Sequence, residues 1–178
     1  YVLASAPVVS RAIDALARIP RTGRGAVAFV ATLSMLTSLL SWGFSLVFGG
    51  LLVRALSRRH ELQMDYRAAG AAAYLGLGAV WAMGLSSSAA QLQANPASMP
   101  PALLAITGVL PFSQTIFLWQ SIVLTTILIA VSVAIAWWTA PTGEAARAAP
   151  IEAATPAPAN DRNTRPGDWL ETSPLLTL

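Results

Sequence analysis

Cysteine is absent from the 178 residues, which excludes disulfides, thiolate zinc sites and thiol nucleophiles. Lysine is absent too, so all 11 basic residues are arginine, and a single histidine, His60, stands among them. Charge is scarce, at 11% of residues against about 25% in ordinary soluble domains. The scarcity is concentrated. Residues 25–53 and residues 68–143 contain no acid, no base and no histidine, and one membrane-spanning helix needs only about 20 such residues. A soluble helical bundle cannot easily hide two runs of this length. The net charge of +3 does not mark a nucleic-acid partner, because the arginines sit in short loops between apolar runs.

What is present is hydrophobic, at 55% of the chain, and it is segmented. Residues 1–24 read as the end of an upstream helix followed by an amphipathic interfacial helix, with a plain connecting loop as the alternative. Val9, Ile13, Leu16 and Ala17 share a face, Arg11, Asp14 and Arg18 take the other, and Pro20 ends the segment. Residues 25–53 would be about 43 Å long as one straight helix, against a hydrocarbon core of about 30 Å. Arginines precede the run at 11, 18, 21 and 24 and follow it at 54, 58, 59 and 67. A single crossing would put these basic loops on opposite sides, against the positive-inside rule. A re-entrant hairpin with its tip near Ser41-Trp42-Gly43 puts both on the cytoplasmic side. Arms of about 13 residues would reach roughly 20 Å, past the midplane. A long, tilted span is the alternative.

Residues 54–67 read as a cytoplasmic loop. Residues 68–91 are long enough to span but carry Gly70, Gly76, Gly78, Gly84 and Ser86-Ser87-Ser88, which suits an interrupted helix. Residues 92–114, with Asn95-Pro96 and Pro100-Pro101, read as an outer loop with a short helix. Residues 115–139 form a membrane helix with Trp119 at one end and Trp137-Trp138 at the other. Residues 140–166 are Ala/Pro-rich and read as a disordered linker. Residues 167–178 read as the start of a second repeat. The chain opens on an apolar stretch without an initiator methionine and closes on Leu175-Leu176-Thr177-Leu178, so a longer intact protein is expected.

With no ionisable group inside the apolar runs, a side-chain proton relay has no residue to use there. An enzyme is not expected either. Ser86 or Ser88 as a nucleophile would need a base, and His60 lies with the arginines. Chemistry by backbone remains. Half-helix N-termini attract a carboxylate, while freed carbonyls and hydroxyls can hold Na⁺. The candidate binding residues are therefore Ser41, Trp42 and Gly43 at one interruption and Gly84, Ser86, Ser87 and Ser88 at the other. Small-residue packing is the competing explanation for both clusters.

The ordered set Tyr1 to Pro7, Ile19 to Val27, Ser41 to Gly50, Asp65-Tyr66-Arg67, Gly84-Leu85-Ser86, Pro111 to Phe117 and Arg165 to Pro174 resembles the short-chain fatty acid transporter family, of the acetoacetate/butyrate uptake type. The resemblance implies an all-α integral membrane protein, a polytopic helical bundle of ion-transporter type built from inverted repeats; the re-entrant hairpin and the broken helix read from the residues would then be part of one repeat. It implies an ion-coupled secondary carrier for short-chain monocarboxylates in the bacterial cytoplasmic (inner) membrane. Its expected partners are the carboxylate, the lipid bilayer and copies of itself in a homo-oligomer. No cofactor is expected beyond a coupling Na⁺ or H⁺. The resemblance adds Ser113, Gln114 and Thr115 to the candidate site. Where the family typically reads Trp-His-Gly-Gly-Leu-Ser-Gly-Ser, this chain has Ala82 for the histidine and Met83 and Ser87 for two glycines; Gln114 replaces a family glutamate. A degenerate, non-transporting relative of the same fold is the alternative.

Overall fold

A computed structural model describes residues 7–147, with side chains from residue 11 onward. The expected upstream-helix tail before residue 7, most of the linker and the approach to a second repeat lie outside the described residues.

The chain is all-α. Helix α1 (Pro7–Ala17) is followed by α2 (Gly23–Leu40) and α3 (Trp42–Ser57). Helix α4 (Tyr66–Ala73) then passes into a π-helical turn at Gly76–Val80 and a 3₁₀ turn at Trp81–Met83. Two short helices, α5 (Ser88–Ala94) and α6 (Pro101–Thr107), precede the long α7 (Trp119–Thr139). Three stretches, Gly23–Leu40, Tyr66–Ala94 and Trp119–Thr139, are long and apolar enough to cross a membrane. The second of them qualifies only as a whole, because its helix is interrupted between Ala73 and Ser88.

Helix α2 is the centre, packed against α3, α4 and α7. Its inner face is Ala26, Val27, Val30, Ala31, Ser34, Met35 and Ser38, a stripe at helical spacing. Thr22 starts it, its hydroxyl accepting the Gly25 amide at 3.1 Å. Helix α3 answers with Ser45, Phe48, Gly49, Leu52, Val53 and Leu56. Helix α1 lays Ile13 and Ala17 inward and packs on α3, leaving Arg11, Asp14 and Arg18 exposed.

Only Ser41 separates α2 from α3. Its backbone is extended, with φ −155° and ψ 116°, and its hydroxyl accepts the Phe44 amide at 3.4 Å. The two helices form a hairpin whose arms, at 18 and 16 residues, rise about 27 and 24 Å. They exceed the expected 13 residues because the helices run past the uncharged stretch at both ends. Helix α2 begins at Gly23 and α3 continues through Arg54 to Ser57.

The opposite end of the hairpin gathers the arginines. The Arg59 guanidinium donates to the carbonyls of Ala17 (2.7 Å) and Pro20 (2.9 Å), and its Nε pairs with Glu61 at 2.8 Å. Arg24 Nε donates to the Ala140 carbonyl at 3.1 Å, tying the start of α2 to the end of α7. Asp65 caps α4 by accepting the Ala68 amide at 2.7 Å, and its other oxygen accepts the Arg147 amide at 2.8 Å. Burial alone would raise the Asp65 pKa, but the amides of Arg147, Ala68 and Arg67, with the Arg67 charge, hold it below the ordinary value. The start of α2, the end of α3, the start of α4 and the end of α7 thus share one basic end.

Candidate functional site

The interrupted helix runs alongside α2 toward the hairpin tip, stitched to it by serines. Ser34 Oγ donates to the Ala72 carbonyl at 3.0 Å, and one turn on Ser38 Oγ donates to the Gly76 carbonyl at 2.8 Å. From α3, Ser45 Oγ donates to the Ser34 carbonyl at 2.6 Å. All three serines are fully buried. The close approach depends on glycine. A Cβ on Gly76 would collide with the Ser34 carbonyl, and one on Gly84 would collide with the carbonyl and Cα of Leu39. These collisions are with backbone, so no side-chain rotation relieves them.

At the tip the two interruptions meet. A helix leaves its last four carbonyls without intrahelical partners. In α2 these belong to residues 37–40. The Thr37 carbonyl accepts the Ser41 amide at 2.9 Å, the Leu39 carbonyl accepts the Leu85 amide at 2.7 Å, and the Ser38 carbonyl accepts the Ser86 hydroxyl at 2.9 Å. Residues 84–86 therefore cover the negative end of α2. The positive end of α3 lies beside it. Ser41 accepts the Phe44 amide through its hydroxyl and the Ser45 amide through its carbonyl. The Trp42 and Gly43 amides have no hydrogen-bond partner among the described residues. Ser41, Trp42 and Phe44 are exposed, Trp42 at 47%.

The expected site residues therefore divide. Ser41, Trp42 and Gly43 lie at the tip, and Gly84 and Ser86 lie against it. Ser87 turns away to start α5, accepting the Ala90 amide at 3.3 Å, and Ser88 is exposed in its first turn. Ser113, Gln114 and Thr115 are not on the α2 seam. They sit in and after a 3₁₀ turn, Phe112–Gln114, that packs on α5. Ser113 and Gln114 are exposed there, and the Thr115 carbonyl accepts the Ser121 hydroxyl at 2.8 Å. Ala82 is also exposed, in the 3₁₀ turn before Gly84. His60 follows the far end of α3, about 24 Å along that helix from the tip.

Ser34, Ser38 and Ser45 are not among the residues that the sequence alone singles out. The available signal was their placement: Ser34 and Ser38 are one turn apart in an apolar run, and Ser45 is one turn past the interruption. In the structure their hydroxyl protons are committed to carbonyls. No buried side-chain nitrogen or oxygen among the described residues lacks a partner. The hydroxyls thus retain acceptor capacity, while donors for an anion come from the exposed backbone amides.

Hairpin, interrupted helix and long apolar α7 together define an all-α integral membrane protein with two helix interruptions in contact. The chain belongs to the short chain fatty acid transporter family, whose family model matches residues 1–163. It is 29% identical over 132 residues to a protein of Haemophilus influenzae provisionally named a short-chain fatty acid transporter, covering 71% of this chain and 29% of that protein. A protein of Escherichia coli with the same provisional name is 30% identical over 131 residues, covering 74% of this chain and 29% of its own length. The chain thus spans under a third of these curated relatives. No solved structure matches it.

Proposed function

We propose that this chain supplies one half of the binding site of an ion-coupled secondary carrier for short-chain monocarboxylates in the bacterial cytoplasmic membrane. The observation that carries the proposal is the meeting of the two interruptions. The Leu85 amide and the Ser86 hydroxyl donate to the Leu39 and Ser38 carbonyls, so much of the negative end of α2 is covered while the positive end of α3 stays open. A carboxylate is attracted to such a terminus by the Trp42 and Gly43 amides and the helix dipole. The exposed Trp42 and Phe44 offer apolar surface for a short alkyl chain. The names given to the two relatives support the substrate class.

The basic end faces the cytoplasm in this reading, and the tip lies past the bilayer midplane. The exposed tip then faces the rest of the protein, in a second repeat of inverted topology. The coupling ion is Na⁺ or H⁺. Carbonyls and serine lone pairs along the seam suit Na⁺, whereas a proton would have to travel on the substrate carboxyl itself.

The test is uptake of labelled butyrate or acetoacetate into vesicles carrying the full-length protein. Uptake that depends on an imposed ion gradient, and falls at least tenfold in Gly84→Val, is expected. Absence of gradient-driven uptake of any short carboxylate contradicts the proposal. That outcome would favour a degenerate relative, for which Ala82 and Gln114 are the supporting departures.

A further inference from the structure

A groove of about 270 Å³ runs between α2, α4 and α7. Val27 forms its floor, Ala68, Ala71 and Leu75 one wall, and Ile135 and Ala136 the other. Four of its lining side chains are alanine: Ala68, Ala71 and Ala72 on α4 and Ala136 on α7. Thr139 closes one end, its hydroxyl donating to the Ile135 carbonyl at 2.8 Å. From Ser132 to Thr139 the groove follows α7 for about 10 Å.

The Thr139 end is cationic and aromatic. Arg24 holds the Ala140 carbonyl through Nε and stands 5.7 Å from the centre of the Trp137 ring. Its terminal guanidinium nitrogens have no hydrogen-bond partner among the described residues. Arg67 lies one turn before Ala71 on α4 and is exposed. Trp137 and Trp138 are 46% and 77% exposed at the same level. Tryptophans at a helix end mark the boundary between headgroups and hydrocarbon. The groove thus begins at headgroup depth beside two guanidiniums and continues into the apolar layer. Spread along about 10 Å of helix, the volume of about 270 Å³ leaves a cross-section of roughly 27 Å². That is room for one extended alkyl chain and too little for a second helix, about 10–12 Å across with its side chains.

We propose that this groove seats an acyl chain of an anionic phospholipid from the basic-side leaflet, with Arg24 and Arg67 meeting its phosphate. Guanidinium is the cation suited to phosphate oxygens, and the cytoplasmic leaflet is the anionic one. The proposal is independent of what the protein transports.

The test uses the full-length protein in nanodiscs containing a photoactivatable phosphatidylglycerol, with the reactive group in its acyl chain, or the matching phosphatidylcholine. Mass spectrometry then maps the adducts. Adducts on residues 68–75 and 132–139, at least fivefold more abundant with phosphatidylglycerol, are expected. Arg67→Gln should bring the two probes within twofold of each other. Ala71→Phe, placing a ring in the groove from an exposed position, should lower adducts from both at least threefold. Should Ala71→Phe fail to fold, the Arg67→Gln comparison decides alone. Equal labelling of the wild-type protein by the two probes, or no adducts in these segments, overturns the proposal. So does a bifunctional cross-link from Ala71→Cys to another helix of the protein, which would assign the groove to protein.

Discussion

At the scale of single residues, the proposed site rests on positions where a side chain is missing or where a hydroxyl reaches a carbonyl. Gly84 is the strictest. Its neighbour is the Leu39 backbone, so Gly84→Ala must push the interrupted helix away from α2 and break the Leu85–Leu39 hydrogen bond. Overpacking of this kind costs about 1–3 kcal/mol. A lower melting temperature together with at least tenfold slower butyrate uptake is expected; unchanged values of both would show that the contact has no consequence. Ser86→Ala is milder. It removes a hydroxyl shared between the Ser38 carbonyl at 2.9 Å and, more weakly, the Trp81 carbonyl at 3.4 Å. Such a bond is worth about 0.6 kcal/mol on average between membrane helices, so a shift in melting of a degree or two should accompany a larger effect on uptake. These residues were unevenly legible. Gly84 and Ser86 stood out as part of a small-residue cluster, and Ser41 as a polar point in an overlong apolar run. Ser34, Ser38 and Ser45 did not stand out. A serine in an apolar helix looks the same whether it bonds its own helix or a partner, and only the folded chain shows the carbonyls of Ala72, Gly76 and Ser34 opposite them.

At the scale of elements, the hairpin and the α4 cap make separate predictions. Arginine flanks the base of both hairpin arms, so Arg21→Cys and Arg58→Cys should react with a membrane-impermeant maleimide from the same side. Labelling from opposite sides would mean that α2 and α3 form one crossing. Asp65 joins the start of α4 to the segment after α7, and its pKa is depressed despite burial. The stabilisation is therefore fully present above the ordinary carboxylate value of 3.8 and fades as pH falls through the lower folded value. The melting temperature should drop below about pH 4 in the wild type. Asp65→Asn should flatten that drop and lower stability near neutrality by about 1 kcal/mol, the usual worth of a helix cap. The same acid response in both proteins would remove Asp65 from the account. The break at Ser41 was legible as a polar point in an overlong apolar run; that both flanks lie on one side of the membrane is what the labelling decides. The arm lengths were not legible, since α3 continues through Arg54 where a charge count ends it. The partner of Asp65 was not legible either, as Arg147 lies 82 positions away.

At the scale of the whole molecule, the described helices leave apolar surface open on two sides. Helix α7 exposes Ile122, Val123, Leu124, Ile127, Val131 and Ile135, as expected of a helix against lipid or another helix. The hairpin tip exposes Leu40, Trp42, Phe44 and Val47, where the proposed carrier would use a second half to enclose its substrate. The matched relatives extend well beyond the shared segment, which leaves room for that half. Family membership was legible from the order of short motifs, while the grouping of site residues was only partly so. Residues 113–115 were joined to the site by resemblance, but the fold sets them against α5, beside the seam and not on it.

The most direct measurement of the central claim, that a carboxylate is met at the α3 terminus, is substrate protection at Gly43. A Cβ there has open space around it, so Gly43→Cys in the full-length protein should fold and react with a small thiol reagent. Gly78→Cys, on an equally open surface, serves as the control. Saturating butyrate should slow the reaction at position 43 at least fivefold and leave position 78 unchanged. Equal rates with and without butyrate at position 43, in protein that still takes up butyrate, would place the carboxylate elsewhere and contradict the account.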